Sequence, residues 1–250
     1  MTDLKDQWFV NSSPRPQADV RLFCFPFAGG GATIYRRWPQ LLPDWIDVQA
    51  IQLPGREHRI RAPLYQSMGP LLAGLEAAIT PLLDRPYAFF GHSMGGLVSY
   101  ELARRLEHSL GQGPAHLFVS ARRAPHLPLR RRTIHDMSTP ALIQEIRRMG
   151  GTPPAVLREP ELLKLILPIV RADFTVLETH EHVPSQPLSC PISAFGGAGD
   201  SGVSREEILG WGEYTSADFD SHLVPGGHFV IQTSPEVLTQ GVGMALSALK

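Results

Sequence analysis

Two cysteines in 250 residues, Cys24 and Cys190, are too few for a disulfide framework, and without a C-x-x-C pair they argue against a thiolate metal site. Each lies in or beside an apolar, strand-like run, so both are expected to be reduced packing residues. No run of about 18 apolar residues is present to span a membrane. The start, Met1-Thr2-Asp3-Leu4-Lys5-Asp6, lacks the basic-then-apolar pattern of a secretory leader. Neither charge sign dominates: 23 basic residues against 24 acidic give a net −1 and a pI near 6.8, so nothing draws the chain as a whole toward nucleic acid or a membrane. Internal repeats and low-complexity segments are also missing. These absences lead us to expect a soluble, cytoplasmic protein. Its length suits a single α/β domain spanning 1–250 with a sizeable core.

What the sequence does contain is organised around Phe90-Gly91-His92-Ser93-Met94-Gly95-Gly96, a G-x-S-x-G motif centred on Ser93. The run before it, Tyr87-Ala88-Phe89-Phe90, is β-prone, and after it Leu97, Val98, Leu102 and Leu106 recur at helical spacing. Strand, sharp turn and helix make a nucleophile elbow, which needs glycine two residues before and two after the serine because a side chain there would strike backbone. Ser93 would stand exposed above the sheet edge, at a helix N-terminus where the Met94 N–H can donate to a developing anion. A turn serine would fit the motif by itself. The flanking strand and helix favour a nucleophile.

The remaining chain alternates strands with helices. Strands are expected at Val20 to Phe25, Ile46 to Ile51, His116 to Ser120, Ile192 to Phe195 and Asp220 to Val224, the first preceded by a polar arm from Asn11 to Asp19. Helices are expected on Ile34, Trp38, Leu41 and Leu42, on Met68 to Leu82, after the elbow to Gly111, around Glu206 to Tyr214, and from Ser234-Pro235. This order implies a mostly parallel sheet flanked by helices on both faces. From about 121 to 187 the rhythm breaks into a helical insertion. One helix is predicted from the Thr139-Pro140 N-cap and N1 pair to Gly150-Gly151, and a second from Pro160 to Thr179, broken or kinked at Pro168.

An α/β hydrolase carries its nucleophile, acid and base in that chain order. Asp200 follows the strand ending at Phe195, and His228 follows the last strand, so Ser93, Asp200 and His228 are the candidate triad. His228 would take the Ser93 proton while Asp200 orients the imidazole and stabilises its cation. A capping aspartate or a surface histidine would explain either residue alone. All three, in order and at strand ends, favour the triad. Asp218 and Asp220 are rival acids, but in or before the last strand they fall at the wrong sheet edge. Two N–H donors must meet the oxyanion. Met94 is one, and Ala28, in the glycine-rich loop Phe27-Ala28-Gly29-Gly30, is the second, with Phe27 next. That loop lacks the G-K-[ST] and G-x-G-x-x-G patterns of a phosphate cradle. His92 is expected to point away from the reacting face as a packing residue, and His180 and His182 to be solvated. No metal or cofactor is assigned.

Together, Leu22 to Gly30 (LFCFPFAGG), Leu53-Pro54-Gly55-Arg56, the elbow, Arg147 to Pro153 (RRMGGTP), Arg171-Ala172-Asp173 and Gly226-Gly227-His228-Phe229 resemble type II thioesterases of polyketide and nonribosomal peptide synthesis over nearly the full chain. The resemblance implies a discrete editing enzyme that hydrolyses stalled or aberrant acyl groups from phosphopantetheine thioesters of acyl or peptidyl carrier proteins, under a mobile helical lid. Members of the family commonly carry histidine where Phe27 stands, which leaves a backbone donor unaffected. Asp173 is expected to cap its helix or pair with Arg171. Between Arg122 and Arg158 eight arginines face only Asp136 and Glu145, a basic surface suited to an acidic carrier or a phosphate, though a solvated lid face would look the same. A monomer is expected. The rival readings are a general esterase or acyltransferase on the same fold, and a non-catalytic module with a relict elbow.

Overall fold

The computed structural model describes residues 8–128 and 133–250. Among the described residues the strands are β1 (Phe9–Val10), β2 (Val20–Phe25), β3 (Ile46–Ile51), β4 (Tyr87–His92), β5 (His116–Ser120), β6 (Ile192–Gly197) and β7 (Phe219–Val224). They form one sheet in the order β1-β3-β2-β4-β5-β6-β7. Every pairing is parallel except β1 with β3. β1 lies ahead of the polar arm and was not expected; two residues give no alternation to read, and it forms because the sheet edge offers β3 as a partner.

Side chains alternate across the sheet into two cores. Val20, Leu22 and Cys24 of β2 face one, with Tyr35, Trp38 and Leu238, while Phe23 and Phe25 face the other, with Leu71, Leu75, Leu97 and Leu102. Helices on both faces leave all six residues of β2 buried, which is why it reads as a continuous apolar run. The helices are α1 (Trp38–Leu41), α2 (Met68–Ile79), α3 (Met94–Leu110), α4 (Thr139–Met149), α5 (Pro160–Glu178), α6 (Arg205–Leu209), α7 (Val230–Thr233) and α8 (Pro235–Ala245).

Four expectations change in detail, one of them the predicted helix around Glu206 to Tyr214, which is α6 followed by a 3-10 stretch, Gly210–Tyr214. The predicted helix on Ile34 to Leu42 is a 3-10 turn, Ala32–Tyr35, followed by the single-turn α1, which restarts with Pro39 in its first turn. The N-cap position of α4 is held by Ser138 rather than Thr139, without a side-chain hydrogen bond, and Gly150 closes the helix at φ +80°. α5 runs unbroken through Pro168. The hydrogen bond that proline forfeits would have gone to the Lys164 carbonyl; both residues are exposed, so water can satisfy that group. α4 and α5 occupy the insertion between β5 and β6, where no strand lies among the described residues. Because β2 to β7 are parallel, the loops after Phe25, His92, Gly197 and Val224 all leave the sheet at one edge.

Candidate active site

Ser93 sits at φ +53°, ψ −109°, a conformation that L residues rarely adopt, between β4 and α3. The glycines around it are there for space. A Cβ on Gly91 would lie 2.2 Å from the Gly95 carbonyl oxygen, and one on Gly95 would lie 2.1 Å from the Phe25 carbonyl oxygen. The turn is pinned where the Ser93 N–H donates to the Ser120 carbonyl at 2.8 Å.

The three candidate triad residues meet. His228 Nε2 is 3.0 Å from Ser93 Oγ, and His228 Nδ1 is 2.7 Å from Asp200 Oδ2. Burial pushes the Asp200 pKa up, but hydrogen bonding to His228, its charge, and the Gly202 and Val203 N–H groups outweigh that and leave it below the ordinary carboxylate value. An ionised carboxylate only accepts, so the proton on Nδ1 points at Asp200 and the Nε2 lone pair is left for the Ser93 hydroxyl. The rival acids lie elsewhere. Asp220 pairs with Ser193 at the start of β6 and bonds His222 at 2.9 Å, while Asp218 precedes β7, both at the edge opposite His228.

Of the loop after β2, the Gly30 N–H closes a tight turn onto the Phe27 carbonyl at 2.9 Å, with Gly29 at φ +80°. The Gly29 N–H donates to Asp173 Oδ2 at 2.7 Å. The Ala28 N–H has no acceptor among the described residues, and the Met94 N–H opens α3, so both predicted donors are uncommitted.

Two cavities meet at Ser93 and His228. One, of about 400 Å³, is lined mainly by apolar side chains, including Phe27, Ile146, Val156, Val170 and Phe229. The other, of about 300 Å³, sets Arg122, Arg123, Arg148, Asp200 and Ser201 beside apolar Leu177 and Val203. Met149 of α4 and Phe174 of α5 line both. The Gly151 backbone rests so closely on Phe229 that a Cβ there would lie 2.2 Å from Cζ of the ring.

Other polar residues fall differently from their sequence reading. Asp173 does not pair with Arg171. It makes a bidentate ion pair with Arg56, at 2.6 and 2.7 Å, with both residues 4% exposed. Arg171 donates instead to the Met137 carbonyl at 2.8 Å. His180 and His182 are partly buried rather than solvated: His180 Nε2 lies 3.1 Å from Glu101 Oε1, and His182 Nε2 lies 3.2 Å from the Tyr214 hydroxyl. His92 packs behind the site as expected, fully buried, with its ring 5.7 Å from that of His228 and Nδ1 bonded to Ser120 Oγ at 3.0 Å. Burial and the neighbouring His228 hold its pKa well below the ordinary histidine value. Among the described residues no group of three or more His, Cys, Asp or Glu side chains is placed to hold a metal. Arg130, Arg131 and Arg132 lie outside the described residues.

The thioesterase-domain family model matches residues 20–241. Gramicidin S biosynthesis protein GrsT of Aneurinibacillus migulanus is 40% identical over 229 residues, covering 92% of this chain and 90% of that protein. Among solved structures, the RedJ thioesterase from the prodiginine biosynthetic pathway of Streptomyces coelicolor superposes with a TM-score of 0.86 at 38% identity, over 93% of this chain and 88% of RedJ. The type II thioesterase BorB from the borrelidin biosynthetic cluster superposes with a TM-score of 0.88 at 34% identity, over 98% and 99% of the two chains. With this match over most of its length and a mostly parallel sheet flanked by helices, the chain belongs to the thioesterase family, among the type II thioesterases of the α/β-hydrolase fold.

Proposed function

We propose that Ser93, His228 and Asp200 carry out thioester hydrolysis, releasing acyl groups from the phosphopantetheine arm of an acyl or peptidyl carrier protein so that stalled or aberrant intermediates of polyketide or nonribosomal peptide synthesis are cleared. The observation that carries the reading is the continuous chain from Asp200 Oδ2 through His228 to Ser93 Oγ, at 2.7 and 3.0 Å.

Ser93 Oγ attacks the thioester carbon and its proton passes to His228 Nε2. The carbonyl oxygen becomes an anion beside the N–H groups of Met94 and Ala28. Collapse expels the thiol sulfur, which takes the proton from His228. Water then gives a proton to His228 while its oxygen attacks the acyl-serine ester, and a second collapse frees the carboxylic acid and returns the proton to Ser93 Oγ. Asp200 remains ionised throughout and stabilises the imidazolium.

The apolar cavity suits the acyl chain, and the arginine-bearing cavity suits the polar arm and its phosphate. Residues 121–187 would be a lid on a single domain: α4 and α5 supply walls to both cavities, and Gly151 rests on Phe229. Relatives named for the biosynthesis of gramicidin S, prodiginine and borrelidin support a carrier-bound substrate and a cytoplasmic setting.

The test is a panel of acyl-carrier thioesters, with the matching alcohol esters as controls and an alkyl fluorophosphonate as the probe of Ser93. The expected result is preferential thiol release, abolished by fluorophosphonate labelling at Ser93. Equal turnover of alcohol esters would favour a general esterase, and failure to label would remove Ser93 as nucleophile.

A further inference from the structure

Arg56 and Asp173 form a buried ion pair to which the reaction steps assign nothing, and it is tied directly to the loop that carries the Ala28 N–H. The loop between Phe27 and Ala32 is held from outside at three points. Asp173 Oδ2 takes the Gly29 N–H at 2.7 Å, Arg56 Nη1 gives to the Gly30 carbonyl at 3.1 Å, and Gln52 Oε1 takes the Ala32 N–H at 3.0 Å. Arg56 is itself fixed by its two bonds to Asp173 and by Gln52 Nε2, which donates to the Arg56 carbonyl at 3.2 Å. Asp173 belongs to α5, 144 residues along the chain from Gly29, and α5 presses on the same loop: a Cβ on Gly29 would lie 2.9 Å from Val170 Cγ2.

We propose that Asp173 and Arg56 are positioning residues for the oxyanion loop, and that α5 thereby completes the oxyanion hole as well as walling the substrate cavities. The proposal rests on the reading of Ala28 as an oxyanion donor. The peptide between Ala28 and Gly29 can present either its N–H or its carbonyl to Asp173. A carboxylate only accepts hydrogen bonds, so it holds the N–H and repels the carbonyl that the flipped peptide would bring to it. Arg56 holds that carboxylate in place through two hydrogen bonds and grips the carbonyl of Gly30. With the central peptide of the turn fixed, the adjacent Ala28 N–H is set before the anion forms, and such pre-organisation acts in the transition state rather than on bound substrate.

The test uses Asp173→Asn, Asp173→Ala and the paired change Arg56→Met with Asp173→Leu, alongside the wild type and Ser93→Ala. Replacing a buried ion pair by apolar residues is often tolerated, so the paired change keeps the fold while removing the acceptor for Gly29. Each protein is assayed on an acyl-pantetheine thioester and titrated with an acyl trifluoromethyl ketone. Ser93 Oγ adds to the ketone carbon of that inhibitor, its proton passes to His228, and the ketone oxygen becomes an anion in the hole. The product carboxylic acid serves as a ligand that needs no such anion.

For Asp173→Ala and the paired variant the expected result is a kcat about ten- to a hundredfold lower, a KM within about threefold, a Ki for the ketone raised in step with the loss in kcat, and unchanged product binding. Asp173→Asn, which keeps an oxygen for the Gly29 N–H, should retain more activity than Asp173→Ala. Wild-type kcat in the paired variant overturns the proposal. So does a rise in KM and weaker product binding with the ketone Ki preserved, because the pair would then serve the cavity alone. If all three variants fail to fold, the pair is a folding element and the assignment is rejected. A Ser93→Ala protein as active as the wild type would instead overturn the triad reading beneath it.

Discussion

At the level of single residues, catalysis depends on which carboxylate and which histidine serve Ser93. Asp200 has its Oδ2 on His228, whereas Asp220 is spent on His222 at the far edge of the sheet. Asp200→Asn is therefore expected to lower kcat by about three to four orders of magnitude by allowing the wrong imidazole tautomer, with Asp218→Asn and Asp220→Asn within about threefold of wild type. Steady-state kinetics of the three variants checks the ranking, and the reverse order would move the acid. Ser93→Ala and His228→Ala should each cost about as much as the two together, since the proton transfer needs both groups. The candidate triad could be placed from sequence because each member follows a strand, Ser93 between the glycines of its elbow and Asp200 and His228 after glycine-rich turns. Asp173 could not. Its only nearby cation in sequence is Arg171, and the true partner, Arg56, is 117 residues away in a loop with no periodicity to place it.

At the level of elements, the strand-to-helix joint at β4 and α3 is a steric device. Gly95→Ala would drive a Cβ to 2.1 Å from the Phe25 carbonyl oxygen, backbone against backbone, whereas Gly69 in the first turn of α2 has nothing within 4 Å of its Cβ position. Urea titration should show Gly95→Ala losing about 3 kcal/mol or more and Gly69→Ala gaining roughly 0.5–1 kcal/mol. Equal effects would mean that glycine is used here for backbone freedom and not for room. The central strands and α2 to α5 were legible because buried strands give unbroken apolar runs and amphipathic helices a 3.6-residue period. Short pieces were not. β1 has two residues, and the Ala32–Tyr35 turn and α1 together hold too few apolar positions to distinguish two pieces from one helix. Of the break or kink expected at Pro168, the break does not occur, because a proline on the exposed side of a helix gives up a hydrogen bond that water can replace.

For the molecule as a whole, two properties follow from where charge is placed. Burial holds His116 at about 4, against an ordinary 6.5, while its Nε2 bonds Ser193 Oγ at 2.9 Å. An unfolded chain would take up this proton below about pH 6.5 and the folded one only below about pH 4. Stability is thus undiminished above pH 6.5 and falls as pH drops through that window, by up to about 3 kcal/mol from this residue. His116→Gln should flatten the dependence of unfolding free energy on pH between 4 and 6.5, and an unaltered slope would contradict it. The second property is the basic insertion. Arg147 and Arg158 are exposed and flank a shallow cavity of about 310 Å³. If this face steers an acidic carrier, Arg147→Ala with Arg158→Ala should lower kcat/KM for acyl-carrier several-fold at low salt, shrink that difference as salt rises, and leave an acyl-pantetheine substrate nearly untouched. Parallel losses on both substrates would mean that the arginines support the fold of the insertion instead.

The measurement closest to the central claim is the intact mass of an acylated carrier protein followed over time with the wild type and with Ser93→Ala. The wild type is expected to return the carrier to its free-thiol mass with the phosphopantetheine arm retained, and Ser93→Ala to be slower by about three orders of magnitude or more. A carrier that loses its acyl group equally fast with both proteins would contradict that claim, and so would a carrier that keeps its acyl group in the presence of the wild type.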